Sequence, residues 1–222
     1  MKNSSEYSKK LHRLYDSLKR KYPGVQPVTH DDPVEAMVYS IVSENLTARA
    51  AQTAMKRLVE NFADFNDLRV SRSEEIVEAL GENMPETKQI ASSLTKALAA
   101  VFNRYHTLSL EALKKLGKRP AKQTLEQMDG TSRFVVNYCV LTALHGHAIP
   151  LTKKMLEYLR DNKFVHPNAD EQEIEGFLTR QIPARNGYDF YHLLRAQSES
   201  CKGHREAARK KKIKTKKSKK QK

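Results

Sequence analysis

Residues 125–146 read LEQMDGTSRFVVNYCVLTALHG, in which two apolar runs are separated by the short DGTS segment, 129–132. Within that segment, Gly130 can adopt a positive φ without steric cost. Ser132 belongs to the residue types that cap helices, because its hydroxyl accepts from backbone N–H groups two or three residues further on. The stretch therefore predicts two helices joined by a tight turn, with N–H donors left free at the start of the second helix.

Apolar residues at helical spacing continue along the rest of the chain, alternating β-branched patterns are scarce, and there are only 8 Gly and 8 Pro. These features predict an all-α protein. Outside the hairpin, the predicted helices are residues 5–22, a core helix through Met37 and Ile41, a helix from Thr47, a short helix closed by Gly81, a long helix from Pro85 to Arg104, a weaker helical segment over 110–116, a helix capped by Thr152, and helices over 170–181 and 187–199.

The net charge of +14 is concentrated at the C-terminal end of the sequence. Residues 202–222 hold 12 of the 40 Lys and Arg residues and a single acidic residue, so the rest of the chain is close to neutral. A basic run without apolar periodicity is typical of a disordered segment that neutralises nucleic-acid phosphates. We therefore expect residues 203–222 to be a disordered Lys-rich tail; the alternative is a solubility or localisation tail. The tail lysines expected to contact a polyanion are Lys210, Lys211, Lys212, Lys216 and Lys217.

Two cysteines, Cys139 and Cys201, are too few for a metal cluster of their own. No apolar run reaches the length needed to span a membrane. We expect no cofactor, no bound metal and no membrane partner. The expected state is a monomer inside the cell, in the cytoplasm and nucleoid, or in the nucleus of a eukaryote.

The predicted hairpin resembles the helix-hairpin-helix motif of the endonuclease III superfamily of DNA glycosylases. That motif reads leucine, two residues, an apolar residue, any residue, then glycine, an apolar residue and glycine. It is matched by Leu125, Met128, Gly130, Thr131 and Ser132, with serine in place of the second glycine. Taken alone, the turn fits an ordinary corner between two helices equally well.

The resemblance covers residues 5–201 and implies a two-lobed endonuclease III-like helical fold. A six-helix barrel lobe is expected over 25–148, with the helix-hairpin-helix at about 121–146, and a second lobe from 1–24 together with 149–202. The implied partner is double-stranded DNA, including damaged or kinked duplexes. Gly130, Thr131, Ser132 and Arg133 are expected to hold phosphates, as N–H groups at a helix start do. Gly130 is expected to matter more for this binding than for stability.

The family's catalytic pair is a lysine nucleophile and an aspartate that stabilises positive charge on the sugar. Counting from the hairpin, the lysine position holds Phe134 and the aspartate position holds Thr152. No catalytic residue of the family pair is therefore intact. Many family members also hold an iron–sulfur cluster with four cysteines; Cys201 stands at the first ligand position, and Ala208, Lys211 and Lys217 at the others.

The resemblance therefore predicts a DNA-binding protein linked to DNA repair that has lost glycosylase chemistry. The alternative from the enzyme class is an active monofunctional DNA glycosylase of base-excision repair with a relocated catalytic residue. Candidates for that role are Lys153, Lys154, Asp129 and Glu44, although the two lysines are expected mainly as phosphate contacts and the carboxylates as helix caps. A third alternative is a helical interaction module whose tail serves localisation.

Asn45 is a further candidate DNA contact. In the family, a helix junction of the form serine, any residue, glutamine, any residue, threonine inserts its glutamine into the base stack. Ser43, Asn45 and Thr47 match that spacing, with Asn45 one methylene shorter than glutamine. The alternative is that Asn45 only caps a helix at the junction.

Overall fold

The structure, a computed structural model, describes residues 4–81 and 86–201. Twelve α-helices and one 3-10 turn occupy this described part, which contains no β-strand, so the all-α prediction is confirmed. The helices are α1 (Ser4–Lys21), α2 (Pro33–Ser43), α3 (Ala48–Asn61), α4 (Phe65–Val70), α5 (Ser73–Leu80), α6 (Thr87–Tyr105), α7 (Glu111–Lys114), α8 (Lys118–Glu126), α9 (Arg133–Thr142), α10 (Lys153–Asp161), α11 (Glu171–Gln181) and α12 (Gly187–Ser200), with the 3-10 turn at Ala184–Asn186.

Two expectations fall outside the described residues. One is the tail, 203–222, together with its five candidate lysines. The other is Pro85 as the first residue of the long helix; the described helix α6 begins at Thr87, after Glu86.

Side-chain caps fix the starts of several helices at the predicted positions. Thr47 Oγ1 accepts from the Ala50 N–H at the start of α3, and Thr152 Oγ1 accepts from the Met155 N–H at the start of α10. Asp170 caps α11 through the Glu173 N–H. Such caps satisfy N–H groups that have no acceptor within the helix.

Helix α2 lies at the centre of the fold. Val34, Met37, Val38 and Val42 are fully buried, as expected for a helix that is apolar on most sides. It packs against α3, α6 and α9. The predicted core helix is therefore confirmed, and its partner α9 is the second helix of the hairpin.

The first and last described helices pack together. Helix α1 contacts α12 through its apolar face, where the Tyr15 ring meets Phe190 edge-on at 5.6 Å between centroids. Helix α10 also packs on α12, and α12 contacts α9. The lobe boundaries at residues 25 and 148 stay a prediction.

Helix α4 is not predicted by the sequence. It is only six residues long, begins after the Asp64 cap and buries a single residue, Leu68. So short a segment has too few apolar positions to show helical spacing.

In the described residues, no helix combines the length and the apolar character needed to cross a bilayer.

Candidate functional site

The hairpin has the geometry that its sequence predicts. Gly130 adopts φ +81°. The Thr131 hydroxyl donates to the carbonyls of Leu125 (2.9 Å) and Met128 (2.7 Å), which closes the end of α8. Ser132 Oγ accepts from the Val135 N–H at 3.2 Å and caps α9. The first two N–H groups of α9 then have no acceptor within their own helix.

Gly130 also lies directly against α6. A Cβ atom built at this position would sit 2.6 Å from the Ser93 carbonyl oxygen and 2.7 Å from the Ala97 nitrogen. Both are backbone atoms, so neither can move aside cheaply. Glycine is therefore needed at position 130 for packing as well as for the turn, and whether its replacement costs more in DNA binding than in stability stays a prediction.

A cleft of about 780 Å³ lies beside the hairpin and α11. Within it the Glu175 carboxylate, with a side chain only 12% exposed, contacts Arg133 Nη1 at 3.3 Å and Lys122 Nζ at 3.4 Å. Two cations of the hairpin are thus neutralised by α11. The cleft is lined by Lys122, Glu126, Thr131, Ser132, Arg133, Val136, Asn137, Gln172, Glu175, Gly176 and Arg180.

The Phe134 side chain is buried in a group of aromatic rings that we call the aromatic cluster, namely His30, Tyr39, Phe134, Tyr138, Tyr188 and Tyr191. Phe134 is 2% exposed, and its ring centroid lies 6.1 Å from that of Tyr138 and 6.4 Å from that of Tyr191. Burial raises the pKa of Tyr138 and raises that of Tyr191 to about 12, so both phenols stay neutral. The Phe134 side chain therefore does not reach solvent.

Thr152 is also buried, and its hydroxyl is used to cap α10. The two residues that follow it, Lys153 and Lys154, are exposed in the first turn of α10. Their positions fit the expectation of solvent-facing cations, and neither has an ion-pair partner within 4 Å among the described residues.

Glu44, at the end of α2, lies beside the starts of two other helices. Burial raises the pKa of the Glu44 carboxyl, and the negative charge of Glu171 acts in the same direction. A hydrogen bond with Ser132 and the positive charge of Lys153 oppose that rise. Glu44, one of the candidate carboxylates that the resemblance suggests, is therefore brought close to the cap of α9 and the first residue of α10.

Asn45 follows Glu44 in the junction between α2 and α3 and is half-buried. It does not cap α3, since Thr47 does so. Asp129, in the hairpin turn, is exposed. The structure thus brings Glu44 to the hairpin and leaves Asp129 in solvent.

Arg195 and Glu199 of α12 reach the same junction. Arg195 is 4% exposed, and its Nη2 donates to the carbonyls of Ser43 (2.7 Å) and Leu46 (3.0 Å). Glu199 accepts from Arg195 Nε at 2.9 Å and from the Ala48 N–H at 3.1 Å. Burial alone would lower the pKa of Arg195, but Tyr191 and Glu199 outweigh it and the pKa is raised. Sequence reasoning missed this pair.

The cysteines do not fit an iron–sulfur cluster. Such clusters need about four thiolate ligands, and the chain has two cysteines. Cys139 is fully buried in α9, where burial raises the pKa of its thiol to about 12, and Cys201 is exposed beyond α12. The described residues contain no group of three or more His, Cys, Asp or Glu side chains placed to hold a metal ion.

Neither a protein-family model nor a curated protein sequence matches the chain. Solved structures do. A non-covalent endonuclease III–DNA complex is 18% identical with a TM-score of 0.68, covering 85% of this chain and 84% of that one. The Clostridium acetobutylicum 8-oxoguanine glycosylase/lyase in complex with double-stranded DNA is 17% identical with a TM-score of 0.68, covering 89% of this chain and 71% of that one.

The 3-methyladenine DNA glycosylase of H. pylori (MagIII), bound to 1,N6-ethenoadenine, is 14% identical with a TM-score of 0.62. The alignment covers 90% of this chain and 99% of that one. The chain therefore has the all-α endonuclease III-like fold that the hairpin predicts, shared with several DNA glycosylases.

Proposed function

We propose that this chain binds double-stranded DNA through its hairpin and acts in DNA repair. It would do so without the lyase chemistry that the lysine and aspartate of the endonuclease III superfamily perform. The observation that carries the proposal is the hairpin itself, in which Gly130 at φ +81° and the Ser132 cap leave the first N–H groups of α9 without intrahelical acceptors. Structures of the same fold include complexes with DNA. Such a turn holds a phosphate without reading sequence.

Exposed cations extend this contact. Arg133 follows the cap directly, and Lys153 and Lys154 begin α10, whose start lies near Glu44 and therefore near the hairpin. Cations spaced along one surface neutralise successive phosphates of a duplex. The five tail lysines, outside the described residues, would add affinity that does not depend on sequence. A protein of this kind would be a monomer in the nucleoid or nucleus.

The two positions aligned with the catalytic pair support the absence of lyase chemistry. Phe134 offers no nucleophile and is enclosed by the aromatic cluster, and the Thr152 hydroxyl is committed to a helix cap. A covalent Schiff base needs a free amine beside the sugar. Neither residue supplies one.

A second candidate function rests on Glu44. A half-buried carboxyl with a raised pKa beside a helix start is the kind of group that an enzyme uses as a catalytic acid or as a stabiliser of positive charge. The candidate is a monofunctional DNA glycosylase in which Glu44 takes over the carboxylate role. Hydrolysis of the base–sugar bond would then need no lysine.

One assay separates these functions. Purified full-length protein is incubated with duplexes that carry oxidised pyrimidines, uracil, alkylated bases or abasic sites, and base release, strand nicking and binding are measured in parallel. Binding without turnover is expected. Base release that Glu44→Gln abolishes while binding persists would favour the second candidate, and absence of both binding and turnover would leave a helical interaction module.

An Arg133→Ala variant locates the binding surface. Removing one phosphate-binding cation should lower the slope of log K against log salt by roughly 0.9. Arg185→Ala, which removes an exposed cation from the 3-10 turn, is the matched control. Equal slopes in the two variants would exclude the hairpin as the binding surface.

A further inference from the structure

The Arg195–Glu199 pair caps two helices to which it does not belong. The last carbonyls of α2 and the first N–H groups of α3 have no partners within their own helices. Arg195 satisfies the Ser43 carbonyl and Glu199 the Ala48 N–H. A cation at a helix end and an anion at a helix start are both favoured by the helix dipoles.

The pair is poorly explained by its own helix. Within a helix, a pair four residues apart is more favourable when the acidic residue comes first, and here Arg195 precedes Glu199. Burying two charges also has a desolvation cost, and apolar residues of similar volume often give equal or greater stability. The contacts that distinguish this pair are those it makes across the gap to the α2–α3 junction.

That junction carries Glu44, the carboxylate of the second candidate function, and Asn45, which the sequence resemblance makes a candidate DNA contact. Its last helical hydrogen bond is from the Glu44 N–H to the Ser40 carbonyl, and residues 44–46 form bends before α3 begins. Arg195 Nη2 bridges the carbonyls on either side of Glu44 and Asn45, since its acceptors are Ser43 and Leu46. The guanidinium thus bridges the two ends of the turn. It restricts the turn's backbone, and with it the orientations of the Glu44 and Asn45 side chains.

We propose that Arg195 and Glu199 are positioning residues for DNA binding, which hold the α2–α3 junction and with it the side chains of Glu44 and Asn45. The proposal rests on the proposed function for its DNA part. Its structural part, the placement of Glu44, is measurable without DNA.

The test uses the full-length double variant Arg195→Met with Glu199→Leu. Replacing both charges by apolar side chains avoids an unpaired buried charge, so the fold is expected to persist. Arg195→Lys is the conservative variant, because one ammonium keeps the charge but cannot reproduce the guanidinium fork. Gln197→Ala is the matched control on the same helix, since Gln197 accepts from Lys21 Nζ at 2.7 Å and ties α12 to α1 rather than to the junction.

The first measurement is the carboxyl titration of Glu44 followed by NMR. In the double variant the Glu44 pKa should move down toward its ordinary value of 4.5, because a released junction admits water to the carboxylate. Arg195→Lys should give a smaller shift, and Gln197→Ala none. A folded double variant whose Glu44 titrates as in the parent would overturn the proposal.

The second measurement is a double-mutant cycle on duplex affinity. If the pair positions Asn45, then Asn45→Ala should weaken binding in the parent and have no further effect in the double variant. Additive losses would contradict positioning and indicate general stabilisation. A parent that binds no duplex would instead refute the proposed function, and the Glu44 titration would still decide whether the pair holds the junction.

Discussion

The ring of Phe134 lies nearly parallel to that of Tyr138, with the centroids 6.1 Å apart and the planes inclined by 27°. Arg195 Cζ stands 6.0 Å from the same Phe134 ring. The position at which the resemblance would require an amine is therefore enclosed by aromatic rings and faced by a buried cation. Restoring a lysine there would have to displace both kinds of neighbour.

Phe134→Lys should therefore destabilise the protein by roughly 3 kcal/mol or more, because it buries a charge without a partner beside Arg195. For a chain of this size that corresponds to a fall in Tm of roughly 6–12 °C. Phe134→Leu, which keeps an apolar side chain, is the control and should lose less. Borohydride trapping with an abasic duplex should give no adduct with either variant; an adduct with the lysine variant would mean that the aromatic cluster opens to a sugar.

Gly130→Ala should cost more stability than Gly24→Ala. Both glycines have φ +81°, but a Cβ at Gly24 meets nothing within 4 Å, whereas one at Gly130 meets the α6 backbone. We expect about 1 kcal/mol for Gly24→Ala, from the backbone conformation alone, and about 3 kcal/mol for Gly130→Ala, from overpacking in addition. Thermal or urea unfolding measures both. Equal losses of stability in the two variants would show that the hairpin does not pack tightly against α6.

Glu44→Gln should stabilise the protein at neutral pH. The folded-state pKa of Glu44 lies above its ordinary value of 4.5, so between these two values the native state binds more protons than the unfolded state and stability falls as pH rises. The Glu44→Gln variant has no charge at this position and so does not lose this stability. It should be more stable than the parent at pH 7 and equally stable below pH 4.5. Glu74→Gln, on the exposed face of α5, controls for a general charge effect. The measurement is Tm against pH, and a gain that persists unchanged at low pH would contradict the assigned cause.

Glu175→Gln should strengthen duplex binding. The carboxylate neutralises Lys122 and Arg133 at 3.4 and 3.3 Å, and its removal frees two cations for phosphates. We expect affinity at low salt to rise about fivefold, the equivalent of roughly 1 kcal/mol for a partly exposed pair. The slope of log K against log salt should steepen. Glu126→Gln, at the more exposed end of the cleft, should change both quantities less, and weaker binding by Glu175→Gln would show that its carboxylate organises the hairpin instead.

Deleting residues 203–222 should weaken duplex binding at low salt and flatten the salt dependence. Each lysine that no longer neutralises a phosphate takes roughly 0.9 from the slope for B-DNA. Helical circular dichroism should keep its shape, because the core lies within residues 4–201. Loss of the helical signal on truncation would mean that the tail belongs to the fold.

The parts of the fold that depend on residues close together in the sequence could be predicted from it. The caps at Thr47 and Thr152 and the positive φ of Gly130 each involve residues within four positions of one another. The Arg195 contacts could not be predicted in this way. They join residues about 150 positions apart, and a cation four residues before a glutamate resembles any exposed helical pair.

The candidate site divides in the same manner. The sequence indicates that Phe134 cannot act as a nucleophile, because its chemistry is visible in its identity. It does not indicate that the ring packs against Tyr191 of α12, or that Glu44 meets the Ser132 cap. Those contacts arise from the packing of helices that are distant along the chain.

Arg195 and Ser43 are 152 positions apart in the sequence, so their contact can form only after most of the chain has been synthesised. At synthesis rates of about 5–20 residues per second, the end of α2 emerges roughly 8–30 s before its cap is made. During that interval the Ser43 and Leu46 carbonyls have only water as partners. A nascent chain can therefore pack α2 against α3, α6 and α9 early, while the α2–α3 junction reaches its final shape only when α12 docks. Truncation just before Arg195 should leave most helices intact and this junction without its cap.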